Sequence, residues 1–209
     1  MEKVDILIPP DFTKTGQIKT KKEAIKAGDW LGIFHLWVVQ DEPISAIIYQ
    51  QRSPQASWGP LLLDVTVGGH YRVGETRLDG LREVKEELGI NYDPRSLTYL
   101  GRKLFFGKDK EGFMRQSVVD VHFVRDNRSL NQFILDPSEI HALCLCPIAY
   151  LIKLHTDKKS FKAPAITNHG TKTIIDVTPD LIPYNWDNYH FKIALFAKRY
   201  LKGEKNLIY

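Results

Sequence analysis

The chain has 209 residues, of which 43% are hydrophobic and 26% charged, and its formal net charge is +4. This length suits one well-packed domain with additions, and this composition excludes a wholly disordered chain. The Lys and Arg residues are scattered, so no nucleic-acid partner is expected. The sequence has no apolar run of about 18 residues and no signal-like N-terminal segment, which predicts a cytoplasmic protein without membrane contacts.

The first part of the chain predicts short strands around one small helix. A strand at VDIL is followed by a turn through Gly16 and a helix at about residues 21–27. Runs rich in β-branched and aromatic residues predict further strands at residues 31–39 and 45–51, separated by the turn-prone QDEP. Another apolar run, LLLDVTV, follows them.

The middle of the chain predicts three more strands, at residues 97–106, 115–124 and 139–146, and then a helix that starts at Pro147. Cys144 and Cys146 lie two apart in the last strand, a spacing that fits reduced strand residues and not a zinc site. These patterns predict an α+β fold, with a mixed β-sheet between α-helices.

From about residue 157 the composition changes, so we expect a domain at residues 1–156 and a C-terminal extension at residues 157–209. The extension predicts a loop, a short strand and a terminal helix that ends at Gly203. One face of this helix carries Trp186, Tyr189, Ile193, Phe196, Ala197 and Tyr200. We expect that face to pack either on the domain or on a partner subunit. The second alternative implies a homodimer.

The helix predicted at LREVKEEL places three acidic side chains on one face. Glu83, Glu86 and Glu87 are spaced i, i+3 and i+4, where like charges repel by about a few tenths of a kcal/mol per pair. Hard cations such as Mg²⁺ prefer oxygen ligands and bind well between carboxylates and phosphate oxygens. A solvated charged face is the alternative interpretation, since acidic helix faces are common.

Glycines precede and follow this helix. Gly68 and Gly69 directly follow a buried-type strand, so the backbone can turn sharply there and approach a ligand closely. Gly74 and Glu75 lie before the helix, and Gly89 closes it. Chance seldom provides a strand, paired glycines, a loop, an acidic helix and a closing glycine in this order.

Residues 68–90, GGHYRVGETRLDGLREVKEELGI, resemble the Nudix box, the signature of the Nudix hydrolase superfamily, G-x5-E-x7-R-E-U-x-E-E-x-G-U with U aliphatic. The matching positions are Gly69, Glu75, Arg82, Glu83, Val84, Glu86, Glu87, Gly89 and Ile90. Six residues instead of seven separate Glu75 from Arg82. The missing residue lies between Glu75 and Arg82, so it affects the contact between these two side chains and leaves the acidic face of the helix intact.

The resemblance implies a Nudix fold over about residues 30–155 and hydrolysis of a small-molecule diphosphate. The ligands that it implies for Mg²⁺ or Mn²⁺ are Glu83, Glu86, Glu87 and the main-chain carbonyl of Gly68. It also implies that Arg82 orients a glutamate and so belongs to the catalytic set. Such metals neutralise phosphate oxygens and activate a bound water, while a carboxylate accepts the proton of that water.

The N-terminal layout and the VGGH segment also resemble the isopentenyl-diphosphate isomerase-like branch of the superfamily. These isomerases carry a catalytic cysteine where this chain has Gly68, and an E-x-E pair where alignment places Gln116 and Val118. Moving protons on an unactivated alkene needs strong, positioned acid and base groups. We therefore expect the scaffold without the isomerase activity. A non-catalytic nucleotide-sensing or interaction domain is the other alternative to hydrolysis.

Besides the signature positions of the box, three residues are candidates for contact with substrate. His70 binds phosphate or metal, or else caps a loop; Arg52 lies near substrate or on an edge-strand surface. Trp58 lines the pocket or belongs to the core or a lid. The candidates for a general base are Asp120, Asp126 and Glu139.

Overall fold

The computed structural model describes residues 2–108, 112–183 and 187–209. Within these residues the strands are β1 (Lys3–Ile8), β2 (Thr13–Thr20), β3 (Trp30–Gln40), β4 (Ala46–Arg52), β5 (Leu63–Asp64), β6 (Val67–His70), β7 (Thr98–Lys108), β8 (Met114–Arg125), β9 (Ile140–Pro147), β10 (Phe161–Thr167) and β11 (Lys172–Val177). The helices are α1 (Lys21–Ala27), α2 (Leu81–Leu88), α3 (Ile148–Asp157) and α4 (Tyr189–Leu201). Across these ranges we find no helix with the length and apolar surface that a bilayer crossing needs.

The described strands form one sheet, ordered β11-β10-β9-β4-β3-β1-β2, with β5, β6, β7 and β8 paired beside this path. Strands β3 and β8 run parallel to each other, whereas the other pairings among the described residues are antiparallel. The predicted mixed sheet is confirmed.

β6 and β4 are successive neighbours of strand β3 along one of its edges, where β1 also pairs at Trp30. β8 pairs with β3 along nearly its whole length, so the other strands must share the opposite edge. There residues 38–40 pair with β4, and residues 33–36 pair with β6. Because β6 takes the place of β4 beside β3, β4 and β6 diverge and leave an opening between them.

Two hydrophobic clusters lie on opposite faces of the sheet. β3 contributes Trp37 and Val39 to one cluster and Leu36 and Val38 to the other, as expected where side chains alternate along a strand. Helices α3 and α4 pack on the first cluster, and α2 packs on the second. The sheet therefore lies between helices, which confirms the predicted α+β class.

The C-terminal part of the chain joins this same sheet. β10 pairs with β9, and β11 follows as the edge strand, so residues 157–209 contribute two described strands where the sequence predicted one. Within α4, the residues of the predicted apolar face are all buried in the first cluster or pack against it: Tyr189, Ile193, Phe196, Ala197 and Tyr200. The described part of the predicted apolar face therefore lies on the core of this chain. Trp186 falls outside the described residues.

Strand β2 is a further difference from the sequence prediction. Residues 13–20 pair with β1, although the sequence predicted only a turn through Gly16. Most of β2 is exposed and polar, so it lacks the alternation by which a strand is recognised in a sequence. Cys144 and Cys146 are free and buried on β9, as predicted.

Candidate active site

A cleft of about 1150 Å³ opens where β4 and β6 diverge. Its walls come from distant parts of the chain, including β3, β6, α2, β7, β8, the segment after β4, and α4. The lining residues that the sequence had singled out are Arg52, Trp58, Gly68, Gly69, His70, Glu83, Glu86, Glu87 and Glu139. The fold thus brings the acidic helix and the three candidates for substrate contact, Arg52, Trp58 and His70, into one cavity.

Glycines fix both ends of α2. A Cβ on Gly80 would lie 2.4 Å from Cγ of Phe34, so only glycine lets the start of the helix approach β3 this closely. Gly89 ends the helix in the left-handed region, at φ +67, and its amide donates to the carbonyl of Lys85. Val84 and Leu88 are buried against the sheet, which anchors the helix. Sequence reasoning found Gly89 but missed Gly80.

Arg82 binds three carboxylates. Its Nε lies 2.8 Å from Oε1 of Glu75, so the contact forms although the spacing is one residue short. Its Nη2 lies 2.9 Å from Oε1 of Glu83. Its Nη1 lies 2.7 Å from Oε2 of Glu86. Arg82 therefore ties the loop before α2 to the acidic face of the helix.

Glu87 is the most deeply placed of the three helix carboxylates. It is 5% exposed, and its Oε2 is buried without a hydrogen-bond partner in the described structure. Burial raises the pKa of Glu87 well above its usual value, and the charges of Glu83 and Glu139 raise it further. Burial also raises the pKa of Glu83, despite the hydrogen bond from Arg82. A nearby positive charge would therefore stabilise the ionised forms of Glu83 and Glu87.

The three helix carboxylates are not gathered around one point, although the sequence predicted that they converge. Among the described residues, no group of three or more His, Cys, Asp or Glu side chains is placed to hold a metal ion as it stands. The physical reason is Arg82, whose guanidinium binds both Glu83 and Glu86, and Arg72, which also contacts Glu86 at 3.0 Å.

The glycines before α2 make room for these contacts. A Cβ on Gly69 would lie 2.1 Å from Oε1 of Glu83, so any side chain there would displace this carboxylate. Gly74 adopts φ +84, and its amide donates to Oδ2 of Asp5 over 2.9 Å. These two positions therefore require glycine for different reasons, close approach and backbone conformation.

Arg52 and His70 both line the cleft. The Nε of Arg52 donates to the carbonyl of Trp58 over 2.8 Å, and the guanidinium lies 5.5 Å from the centroid of the Trp58 ring. Burial, with a smaller effect of the Lys21 charge, lowers the pKa of His70 well below its usual value. His70 is therefore neutral at pH 7 and can donate or accept a hydrogen bond.

Of the three candidates for a general base, only Glu139 lines the cleft. Asp120 instead accepts hydrogen bonds from Tyr71 and Tyr99 and pairs with Arg102. The carboxylate of Asp126 is bound by Tyr92 and Arg128. The predictions for Asp120 and Asp126 are therefore wrong as to position, because each carboxylate is satisfied away from the cleft.

The residues of β8 that face the cleft are Arg115, Ser117 and Val119. Alignment had placed Gln116 and Val118 at the positions of the isomerase acids. Side chains alternate along a strand, so this register directs them to the other face. The Gln116 amide accordingly donates to the carbonyl of Gly28 over 2.8 Å. None of these five residues carries a carboxylate, and no cysteine lines the cleft in the described structure.

Sequence reasoning missed two polar groups on the inner wall. Nδ1 of His35 lies 2.9 Å from the hydroxyl of Tyr189, and burial lowers the pKa of His35 to about 3. The Nζ of Lys103 lies 3.4 Å from Asp187, and burial lowers the pKa of Lys103 although Asp187 opposes this. The only sequence signal for either group was a charged or titratable residue within an apolar strand. Their partners, Tyr189 and Asp187, could not be identified from the sequence, because both lie far away in the last 23 residues of the chain, 187–209.

Most of the chain matches a known protein family. The model of the NUDIX domain matches residues 32–168. An uncharacterised Nudix hydrolase of Clostridium acetobutylicum is 42% identical over 84 residues, which are 40% of this chain and 41% of that protein. Another from Nostoc is 34% identical over 94 residues, 43% of this chain and 56% of that protein. The chain thus spans less than two thirds of the length of these relatives.

Solved structures share the fold at low sequence identity. The Deinococcus radiodurans protein DR0079 has a TM-score of 0.58 at 23% identity, over 76% of this chain and 91% of that one. A Caenorhabditis elegans Ap4A hydrolase in a binary complex has a TM-score of 0.50 at 16% identity, over 83% and 99%. The NUDIX domain of Shewanella oneidensis NrtR, complexed with ADP ribose, has a TM-score of 0.52 at 13% identity, over 88% and 99%.

Proposed function

This chain belongs to the Nudix family, and from that membership we propose that it hydrolyses a diphosphate linkage in a small-molecule substrate of the nucleoside diphosphate-X type, with Mg²⁺ or Mn²⁺ as cofactor. The observation that carries the proposal is the buried Glu87, whose unpartnered carboxylate oxygen lies in the same cleft as Glu83, Glu86 and Glu139.

The donor set fits a hard divalent cation. The acidic side chains of the cleft offer oxygen ligands, which hard cations prefer, and Glu87 has a buried oxygen without a hydrogen-bond partner among the described residues. We infer that Glu83, Glu86, Glu87 and the carbonyl of Gly68 would hold the metal. Bound metal would neutralise phosphate oxygens and lower the pKa of a coordinated water. Binding would compete with Arg82 for two of these carboxylates.

The other cleft residues have assignable tasks in this reaction. Glu139 is the candidate that accepts a proton from the attacking water, since it lies in the cleft and its charge acts on Glu87. We propose that Arg52 and His70, which both line the cleft, contact phosphate oxygens of the substrate. The cleft residues favour hydrolysis over isomerisation, because Gly68 stands where the isomerases carry their cysteine and the cleft-facing residues of β8 include no carboxylate.

A substrate panel with a matched pair of variants tests the proposal. The panel should include Ap4A and ADP-ribose, with Mg²⁺ and with Mn²⁺. We expect the wild type to release a monophosphate product from at least one member. Glu87→Gln removes the charge but keeps the shape, so kcat should fall by at least about 100-fold. Lys85→Gln changes an exposed residue of the same helix and should keep full activity.

Two outcomes would contradict the proposal. One is tight nucleotide binding without turnover in either metal, which would indicate a binding domain. The other is an active Glu87→Gln variant with wild-type kcat.

A further inference from the structure

His35 joins the inner wall of the cleft to the C-terminal helix. It lies in the middle of β3 and lines the cleft. Its Nδ1 is 2.9 Å from the hydroxyl oxygen of Tyr189, which is the first residue of α4 and 1% exposed.

The protons of the pair can be assigned by counting donors. The indole Nε1–H of Trp37 is a donor only, and it lies 2.8 Å from the same hydroxyl oxygen. Tyr189 therefore accepts from Trp37 and still has its own proton to donate. Among the described residues, Nδ1 of His35 is the acceptor within hydrogen-bond distance of that proton.

The opposite arrangement leaves a group unsatisfied. If His35 donated from Nδ1, the Tyr189 proton would be buried without an acceptor in the described structure, which carries a desolvation penalty. The favoured arrangement therefore has Tyr189 donating to Nδ1. A neutral imidazole that accepts at Nδ1 carries its proton on Nε2.

The protonated nitrogen lies at the cleft. Nε2 of His35 is 3.4 Å from the position that a Cβ on Gly68 would occupy, and no described residue accepts its proton. In this tautomer Nε2 has no lone pair with which to bind a metal. His35 is therefore a hydrogen-bond donor beside the acidic cluster, not one more ligand.

We propose that His35 donates a hydrogen bond from Nε2 to an oxygen of the diphosphate bound in the cleft, and that Tyr189 is the positioning residue that fixes this tautomer. The identity of the ligand rests on the proposed function, whereas the tautomer does not. A donor held in place before the reaction stabilises charge that develops on phosphate oxygens without reorganising.

The tautomer can be read directly on the intact protein. In a long-range ¹H–¹⁵N correlation spectrum, His35 should show a protonated Nε2 and an unprotonated Nδ1, with its signals assigned by their loss in His35→Asn. Tyr189→Phe should shift these signals towards a mixture of tautomers. Tyr200→Phe removes a hydroxyl from the same helix without a contact to His35, and should leave them unchanged. A protonated Nδ1 in the wild type would overturn the proposal.

Contact with the diphosphate is tested by binding. Methylenediphosphonate with Mg²⁺ should move the Nε2 proton resonance of His35 in the wild type. An unchanged resonance at saturation would overturn the proposed contact. This measurement does not need turnover, so its failure is distinguishable from the failure of the hydrolase assignment.

Kinetics on a substrate identified in the panel separate a positioning role from a structural one. His35→Asn loses the donor at the Nε2 position and should lower kcat by about 100-fold. His35→Gln places an amide N–H near that position and should recover part of the loss. Tyr189→Phe should lower kcat by about tenfold with little change in KM. Wild-type kcat in a folded Tyr189→Phe variant would overturn its positioning role.

Discussion

Arg82 determines how the acidic side chains of the cleft are held. Its guanidinium binds Glu75 from the preceding loop and Glu83 and Glu86 from α2. A planar group with five donors suits several carboxylates at once, which a lysine ammonium does not match. Arg82 thus offsets the repulsion between Glu83 and Glu86 and leaves Glu87 without an ion pair among the described residues.

Gly69→Ala tests this arrangement at a single position. The added Cβ would lie 2.1 Å from Oε1 of Glu83, and the carboxylate is the flexible end of that side chain, so Glu83 should move away from Arg82. We expect activity to fall by about 10–100-fold, with only a small change in Tm, measured by kinetics and thermal unfolding. A fully active variant would show that the position of Glu83 does not matter.

Helix α4 both packs on the hydrophobic core and contributes a residue to the wall of the cleft. Its buried face carries Ile193 and Ala197, which lie in the cluster shared with β3. The same face begins with Tyr189, which reaches the cleft wall. Because the helix is fixed by apolar burial along its length, the hydroxyl at its first residue is held at a defined place.

Substitutions on the two faces of α4 should differ in stability. Ile193 is fully buried, so Ile193→Ala should lower the free energy of unfolding by about 2–5 kcal/mol. Leu195 is 39% exposed, and Leu195→Ala should change it by less than about 0.5 kcal/mol. Denaturant unfolding of both variants measures the difference. Equal effects would mean that α4 does not pack through the observed face.

An ion pair, as well as apolar packing, holds the last segment of the chain against the central sheet. Asp187 pairs with Lys103 of β7 and accepts a hydrogen bond from Tyr209. Burial alone would raise the pKa of Asp187, but the Tyr209 hydroxyl and the Lys103 charge outweigh it, and the pKa is lowered from 3.8.

This pair predicts a pH-dependent stability. A carboxylate with a lowered folded-state pKa stabilises the fold above its unfolded value of 3.8, and this contribution is lost as pH falls through the lower folded value. Asp187→Asn should therefore lower Tm at about pH 6 by up to about 2–4 °C, the shift that about 1 kcal/mol produces in a chain of this size. Below the unfolded value the difference from wild type should shrink.

Asp180→Asn provides the control, since Asp180 is exposed and has no described contact of this kind. Its Tm should follow the wild type across the same pH range. A difference between wild type and Asp187→Asn that is constant with pH would contradict the role of the ionised carboxylate.

Much of the fold followed from local patterns. The strands β3, β4, β7, β8 and β9 and the helices were expected close to where they lie, because their apolar periodicity and their turn residues are local signals. The exposed strand β2 was missed, since pairing and not burial stabilises it. The acidic helix could be found because its spacing and its flanking glycines are contiguous in the chain.

What the sequence determined by itself is the α+β class, the closing glycine of α2 and the acidic face with its family signature, all of which depend on residues a few positions apart. Only the tertiary structure decided that Glu139 and not Asp120 reaches the cleft, and that His35 meets Tyr189. These contacts join residues from separate elements or depend on the strand register. Side-chain direction across a folded sheet is set by pairing between distant segments, which no local pattern contains.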